Sequence, residues 1–171
     1  NGALKYCTVN SATPVGICGS GLIDLVAVLL GEKIIDEYGL LQKNDSPLCQ
    51  NLVDDKFYLT KTVYLSQKDI RQYQLAKAAI CAGIETLLNE CGVLLEEIQT
   101  TFISGGLGFF MNVENAWLTG LLPKQLAKTA KTIGNSSLAG ARLCLLDCHN
   151  EKKIDEIATS TKIIELSLSS L

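Results

Sequence analysis

No apolar run in this chain is long enough to cross a bilayer; the best candidate, residues 22–30, is too short and carries Asp24. There is no excess of basic charge either. Lys and Arg number 15 against 18 Asp and Glu, for a net charge of -3 and a pI near 5.2, which argues against an electrostatic nucleic-acid footprint. Seven cysteines are present, but no Cys-x-x-Cys pair occurs and the number is odd. A disulfide framework or a closed zinc site is therefore disfavoured, and a reducing cytoplasm is the simpler setting. No signal or transit peptide, tandem repeat or low-complexity tract is visible. The expectation is a soluble cytoplasmic protein with neither nucleic acid nor membrane as partner.

With 171 residues, 47% of them hydrophobic, the chain is long enough for one domain with a sizeable core. It opens at Asn1 rather than methionine and closes in a strand-like run, residues 163–168. It reads as a piece of something longer.

Strand-like and helical segments alternate. Residues 4–9 read as a strand entering a glycine turn, and residues 20–30 as an almost wholly apolar, hence buried, helix. Residues 36–55 read as loop with short strands at most, and residues 57–60 and 62–65 as strand, either one element or a pair of short ones. Ser66 opens the longest helix, with Asp69 placed for a capping box and Gly92 at its end. Gly83, midway along it, suggests close packing. Residues 101–103 read as a buried strand before a second glycine turn. Asn112 is placed to cap a short helix through Trp117 and Leu118, and Gly134 and Asn135 precede a helix over 136–147. A short helix over 152–158 and a last strand complete the pattern. The alternation predicts an α/β layered fold with at least partly parallel strands.

The two turns carry the chemistry. Gly16-Ile-Cys-Gly-Ser-Gly-Leu-Ile-Asp24 and Ser104-Gly-Gly-Leu-Gly108 each stand at the start of a predicted helix. Glycine there lets a ligand approach the backbone, while the helix offers unpaired N–H groups and partial positive charge. Neither turn has the Rossmann spacing G-x-G-x-x-G or the Gly-Lys-Ser/Thr ending of a P-loop. Taken alone, each is equally compatible with a tight connection.

Five stretches in order identify a resemblance: Pro14 to Asp24, Ser66-Gln-Lys-Asp-Ile-Arg71 with Gln74 to Ile80, Ser104 to Gly108, Gly120-Leu-Leu-Pro123, and Gly134-Asn-Ser-Ser-Leu-Ala-Gly-Ala141. Together they resemble the C-terminal ATPase region of the reductive activators of corrinoid enzymes, over roughly residues 4–168. Those proteins are similar to acetate and sugar kinases, Hsp70 and actin. The resemblance implies an actin-like ATPase fold, with this chain as a single domain (1–171) forming an incomplete second, ribonuclease H-like lobe. It implies an adenosine-side turn at Gly105, Gly106 and Gly108, a ribose- and phosphate-side turn at Gly19, Ser20 and Gly21, and a further turn at Gly134 and Asn135. It further implies ATP with Mg²⁺ as cofactor, a corrinoid protein and an electron donor as partners, and restoration of Co(I) as the task.

Some residues depart from the family pattern. Ser104 stands where alanine is common, Leu107 where phenylalanine is frequent, Ser136 and Ser137 where small apolar residues are usual, and the loop Phe109 to Asn112 lacks the usual aspartate. No acidic phosphate loop that would position Mg²⁺ and water is found here, and no cysteine set matches a 2Fe-2S ferredoxin. The first lobe and the 2Fe-2S ferredoxin-like domain are expected in the parent, and this piece alone is not expected to hydrolyse ATP. A non-catalytic binding module, or a homodimerisation module built on the alanine-rich long helix, is the alternative.

Single residues are weighed the same way. Asp24 is read either as a ribose or metal-water contact or as an acidic residue favoured by the helix dipole. Cys18 is read as packing beside Ile17 rather than as a redox thiol. Cys144, Cys148 and His149 come nearest to a metal cluster, with Cys144 read as core and His149 as a surface cap following a helix. Trp117 and Leu118 are read as core.

Overall fold

The computed structural model describes residues 4–147 and 149–165. By its internal contacts the chain forms two compact units, residues 1–81 with 111–123 and residues 82–110 with 124–171.

The first unit holds the main core. Helix α1 (Gly19–Gly31) is apolar on most of its surface, and Ile23, Leu25, Val26, Ala27 and Leu29 are buried, as such a sequence requires. The chain then turns through Ile34 and Ile35, both buried, to a bridge between Ile35 and Leu41. Gly39, at φ +80°, lies at the tip of this turn, and a Cβ there would stand 2.2 Å from Gln74 Nε2.

Three antiparallel strands follow, β1 (Leu52–Val53), β2 (Lys56–Tyr58) and β3 (Tyr64–Ser66), with Phe57 opposite Leu65. Both of these side chains are fully buried. The period-2 alternation of a half-buried sheet thus points Phe57 and Leu65 inward.

Helix α2 (Gln67–Cys91) starts where β3 ends. The Ser66 hydroxyl accepts from the Asp69 N–H at 3.2 Å, and Asp69 Oδ2 accepts from the Ser66 N–H at 2.9 Å, which is the predicted capping box. Along α2, Gln67, Arg71 and Gln74 share one face and grip the Gly39 turn. Gln67 Nε2 donates to the Gly39 carbonyl at 2.6 Å, and Arg71 Nη1 and Gln74 Nε2 donate to the Tyr38 carbonyl at 2.9 and 3.1 Å. Helix α4 (Val113–Leu118) packs on α1 through the fully buried Ala116, and Asn112 caps it through the N–H groups of Glu114 and Asn115.

The second unit is built on a parallel pair, β4 (Thr101–Ser104) and β5 (Ala130–Gly134), with Thr101 opposite Ala130 and Ile103 opposite Thr132. Helices α3 (Gly106–Phe110), α5 (Lys124–Lys128), α6 (Ser136–Leu146) and α7 (His149–Ser160) accompany it. Asn135 caps α6 by accepting from the Leu138 N–H at 3.0 Å, and Gly92, at φ +62°, follows α2 as predicted.

Four expectations are corrected. Residues 4–9 form no strand; a single 3-10 turn, Val9–Ser11, stands there, so the first glycine turn is not entered from a strand. Residues 101–103 are a strand but not a buried one, since Phe102 is largely exposed where, among the described residues, a single strand pairs with β4. Leu118 is exposed and Trp117 only half-buried, because Ala116 occupies the inward face of α4. Of the expected last strand, residues 163–165 are not extended into a sheet, and residues 166–168 lie outside the described residues.

Candidate functional site: the glycine turns

The first turn belongs to the first unit. Cys18 occupies the N-cap of α1 with extended backbone, and Gly19, Ser20 and Gly21 form the first helical turn. The Cys18 thiol is exposed, 3.5 Å from the Ser20 hydroxyl. The Ser20 hydroxyl, with the nearby N–H of Gly21, lowers the thiol pKa from its ordinary value by favouring the thiolate. Gly21 also leaves room for the sulfur, which lies 3.4 Å from the position a Cβ would take.

Asp24 is the sixth residue of α1, beyond the first turn, so the helix-dipole reading does not hold. Its carboxylate instead accepts from Asn115 Nδ2 at 2.7 Å, a half-buried bond between α1 and α4. Sequence reasoning missed Asn115 because the two residues lie 91 apart. Beside this turn a groove of about 390 Å³ is lined by Gly16, Ile17 and Leu22 together with Thr62, Tyr64 and Asp69.

The second and third turns belong to the second unit and are brought together. β4 ends at Ser104, Gly105 turns the chain with φ +95°, and α3 begins at Gly106. β5 ends at Gly134, φ +69°, and Asn135 leads into α6. The parallel pairing of β4 and β5 sets the two turns side by side at the C-terminal ends of the strands, the edge at which α/β sheets bind ligands.

A compact network joins them. The Gly105 N–H donates to the Gly134 carbonyl at 2.8 Å, and the Ser104 hydroxyl donates to the same carbonyl at 3.1 Å. Ser104 Oγ also lies 2.5 Å from Ser136 Oγ and accepts from the Ser136 N–H at 3.2 Å. Ser104 and Ser136, two of the three serines noted as departures, are therefore partners of one another.

A Cβ placed on Gly105 or Gly106 would meet no heavy atom within 4 Å, so the backbone there is open to a ligand. Gly108 differs. It is buried, and a Cβ would stand 2.5 Å from Ile103 Cγ2, so its role is to let α3 close on β4.

The metal reading of Cys144 and His149 depends also on Cys148. Among the described residues no three His, Cys, Asp or Glu side chains gather to hold a metal ion, and Cys148 lies outside those residues. A 2Fe-2S cluster therefore finds no ligand set among them. His149 does not cap a preceding helix; it opens α7 and its Nδ1 lies 2.8 Å from Asp147 Oδ1. The capping of α6 falls to Asn150, whose Nδ2 donates to the Leu143 carbonyl at 3.0 Å.

Comparison with known proteins is decisive for the family. A family model described as the C-terminal domain of RACo, the ASKHA domain, matches residues 1–170. The chain belongs to this family. Among proteins similar to this ASKHA domain are the corrinoid activation enzyme RamQ of Eubacterium limosum, 32% identical with 96% of this chain and 32% of that protein covered, and the Co(II) methylated amine-specific corrinoid protein reductase of Methanosarcina barkeri, 30% identical with 84% and 24% covered. A solved structure of a reductive activator for corrinoid, iron-sulfur protein matches with a TM-score of 0.84 at 37% identity, over 96% of this chain and 28% of that one. The chain thus spans a third or less of the length of these relatives. The predicted actin-like α/β fold class is the observed one. No helix among the described residues is long and apolar enough to cross a membrane.

Proposed function

We propose that this ASKHA domain is the nucleotide-binding part of an ATP-dependent reductive activator that returns a corrinoid protein from Co(II) to Co(I). The observation that carries this reading is the pairing of the Gly105 and Gly134 turns, with open backbone at Gly105 and Gly106. Relatives named for corrinoid activation or reduction support the task.

Gly105 and Gly106 would accept the adenosine side of the nucleotide on bare backbone, with Gly108 holding α3 in place and Gly134 and Asn135 bordering the site. In the first unit, considered by itself, Gly19, Ser20 and Gly21 would favour a ribose or phosphate group, because the N–H groups and dipole of a 13-residue helix attract negative charge. Asp24, which accepts from Asn115 through one carboxylate oxygen, would approach a ribose hydroxyl or a metal-bound water with the other. ATP, when bound with Mg²⁺, supplies a free-energy change that alters protein–protein contacts and so favours an otherwise unfavourable one-electron reduction. The electron comes from a separate donor, by way of a 2Fe-2S domain elsewhere in the parent, which acts in the cytoplasm.

The test uses the full-length parent with its corrinoid protein and a chemical low-potential reductant. ATP with Mg²⁺ is expected to raise the yield of Co(I), read from its absorbance, and a nonhydrolysable analogue to bind without sustaining it. A yield independent of nucleotide sinks the proposal. The exposed Leu75, Ile80 and Leu87 on α2 are what a dimerisation module would use instead. Light scattering decides that alternative, and a strict monomer ends it.

A further inference from the structure

Phe109 and Phe110 close α3 with their rings 59% and 74% exposed. Leaving most of two phenyl groups in water forgoes part of their hydrophobic burial, so a cover for them is favoured. The rings meet edge to face, with centroids 4.7 Å apart and planes at 82°. In that arrangement the edge of one ring occupies one face of the other, and the remaining faces stay open.

Their position is specific. Phe109 Cδ2 and Cε2 lie 3.4 and 3.7 Å from where a Cβ on Gly134 would stand, so the ring rests across that glycine turn. The Phe109 N–H donates to the Gly105 carbonyl at 3.1 Å, which ties the ring's backbone to the other turn. Open backbone at Gly105 and Gly106 lies next to exposed aromatic faces in the same unit. A planar, apolar ring with polar edges fits such a border, and a nucleobase is that ligand.

We infer that Phe109 and Phe110 form a stacking platform for the base of the bound nucleotide. This rests on the nucleotide reading above and adds to it the group that holds the base. Aromatic stacking is tolerant of base identity because every base has a π-face. ATP and GTP therefore bind comparably at this platform, and the smaller pyrimidine of CTP binds less well.

The experiment measures binding of ATP and of inorganic triphosphate, each with Mg²⁺, to the full-length parent and to Phe109→Ala, Phe110→Ala and Phe109→Trp variants. Each alanine variant is expected to weaken ATP about 5- to 100-fold and to leave triphosphate affinity unchanged. Phe109→Trp is expected to keep ATP affinity, and its fluorescence to be quenched by ATP but not by triphosphate. Unchanged ATP affinity, or an equal loss for ATP and triphosphate, overturns the platform while leaving the nucleotide reading in place. Tryptophan emission that is already buried without nucleotide and indifferent to ATP also overturns it, since the rest of the parent then covers the rings. Wild-type protein that binds neither ATP nor triphosphate overturns both readings. Phe109→Trp retains the aromatic ring, so the fluorescence arm decides even where an alanine variant fails to fold.

Discussion

The backbone N–H of Gly105 donates to the carbonyl oxygen of Gly134 at 2.8 Å, so two turns 29 residues apart in sequence form one surface. Ser104 and Ser136 brace that contact from outside. Because both serines are solvent-exposed, water replaces part of what each loses, and Ser104→Ala is expected to cost only about 0.5 kcal/mol. Ser104→Ala and Ser136→Ala together are expected to cost less than the sum of the two, because each removes the same hydroxyl pair. Urea unfolding of the four-member mutant cycle measures this, and strict additivity contradicts the bond.

Glycines in the two turns should respond oppositely to alanine. Gly108→Ala forces a methyl to within 2.5 Å of the β-branched Ile103, whose χ1 has little freedom to yield, and is expected to cost about 1–3 kcal/mol. Gly16 has no heavy atom within 4 Å of a would-be Cβ and does not have a positive φ in the left-handed range, so Gly16→Ala is expected to stay within about 0.5 kcal/mol of wild type. Thermal or urea midpoints of the two variants compare them directly.

The start of α2 should carry an acid-sensitive contribution. The Ser66 hydroxyl, then the Ser66 N–H, hold the Asp69 carboxyl below its usual pKa, because both bonds favour the charged form. A lowered folded-state value means that the contribution is complete above the ordinary carboxylate pKa, near pH 4, and is lost as pH falls through the folded value. Asp69→Asn is expected to cost about 0.5 kcal/mol at neutral pH, since the site is open to solvent, and to flatten stability as pH falls below about 4. Unfolding measured across that range in both proteins is the check; parallel curves would count against the capping box.

Tyr73 and Thr119 form a buried polar pair, with the phenol donating to Thr119 Oγ1 at 2.6 Å and that hydroxyl donating to the Ala116 carbonyl at 3.1 Å. Burial raises the Tyr73 pKa, so the phenol stays a donor at neutral pH. Thr119→Val strands that donor and is expected to cost about 1–3 kcal/mol, whereas Tyr73→Phe removes it altogether and is expected to cost about 0.5–1.5 kcal/mol. Chemical denaturation of both variants tests the asymmetry, and equal losses would refute it.

Much of this was legible in the sequence wherever the cause is local. Asn112, Asn135 and the Ser66–Asp69 pair announce helix starts because a cap needs only residues within one turn. The apolar surface of residues 20–30 announces a buried helix for the same kind of reason. Strands were harder, since residues 4–9 have β-favouring composition but no pairing strand among the described residues, and pairing decides a strand more than propensity does. The glycine turns were legible as turns. Their union through Gly105 and Gly134, the bond from Asn115 to Asp24 and the exposure of Cys18 all depend on tertiary placement and left no mark on spacing.

Cys18 offers the sharpest probe of the first turn. Its thiol is exposed at the start of α1, and the Ser20 hydroxyl, with the nearby Gly21 N–H, lowers its pKa. More thiolate at neutral pH means faster alkylation, so iodoacetamide is expected to modify Cys18 ahead of the half-buried Cys49 and Cys81. If Gly19 to Gly21 face ribose and phosphate, ATP with Mg²⁺ covers this helix start and brings more negative charge beside the thiolate. Both effects slow the reaction. In the full-length parent, peptide mass spectrometry is expected to show Cys18 protected by ATP, with Cys91, exposed near the end of α2, as the control that ATP leaves unchanged. Equal labelling of Cys18 with and without ATP would count against any nucleotide contact at Gly19, Ser20 and Gly21.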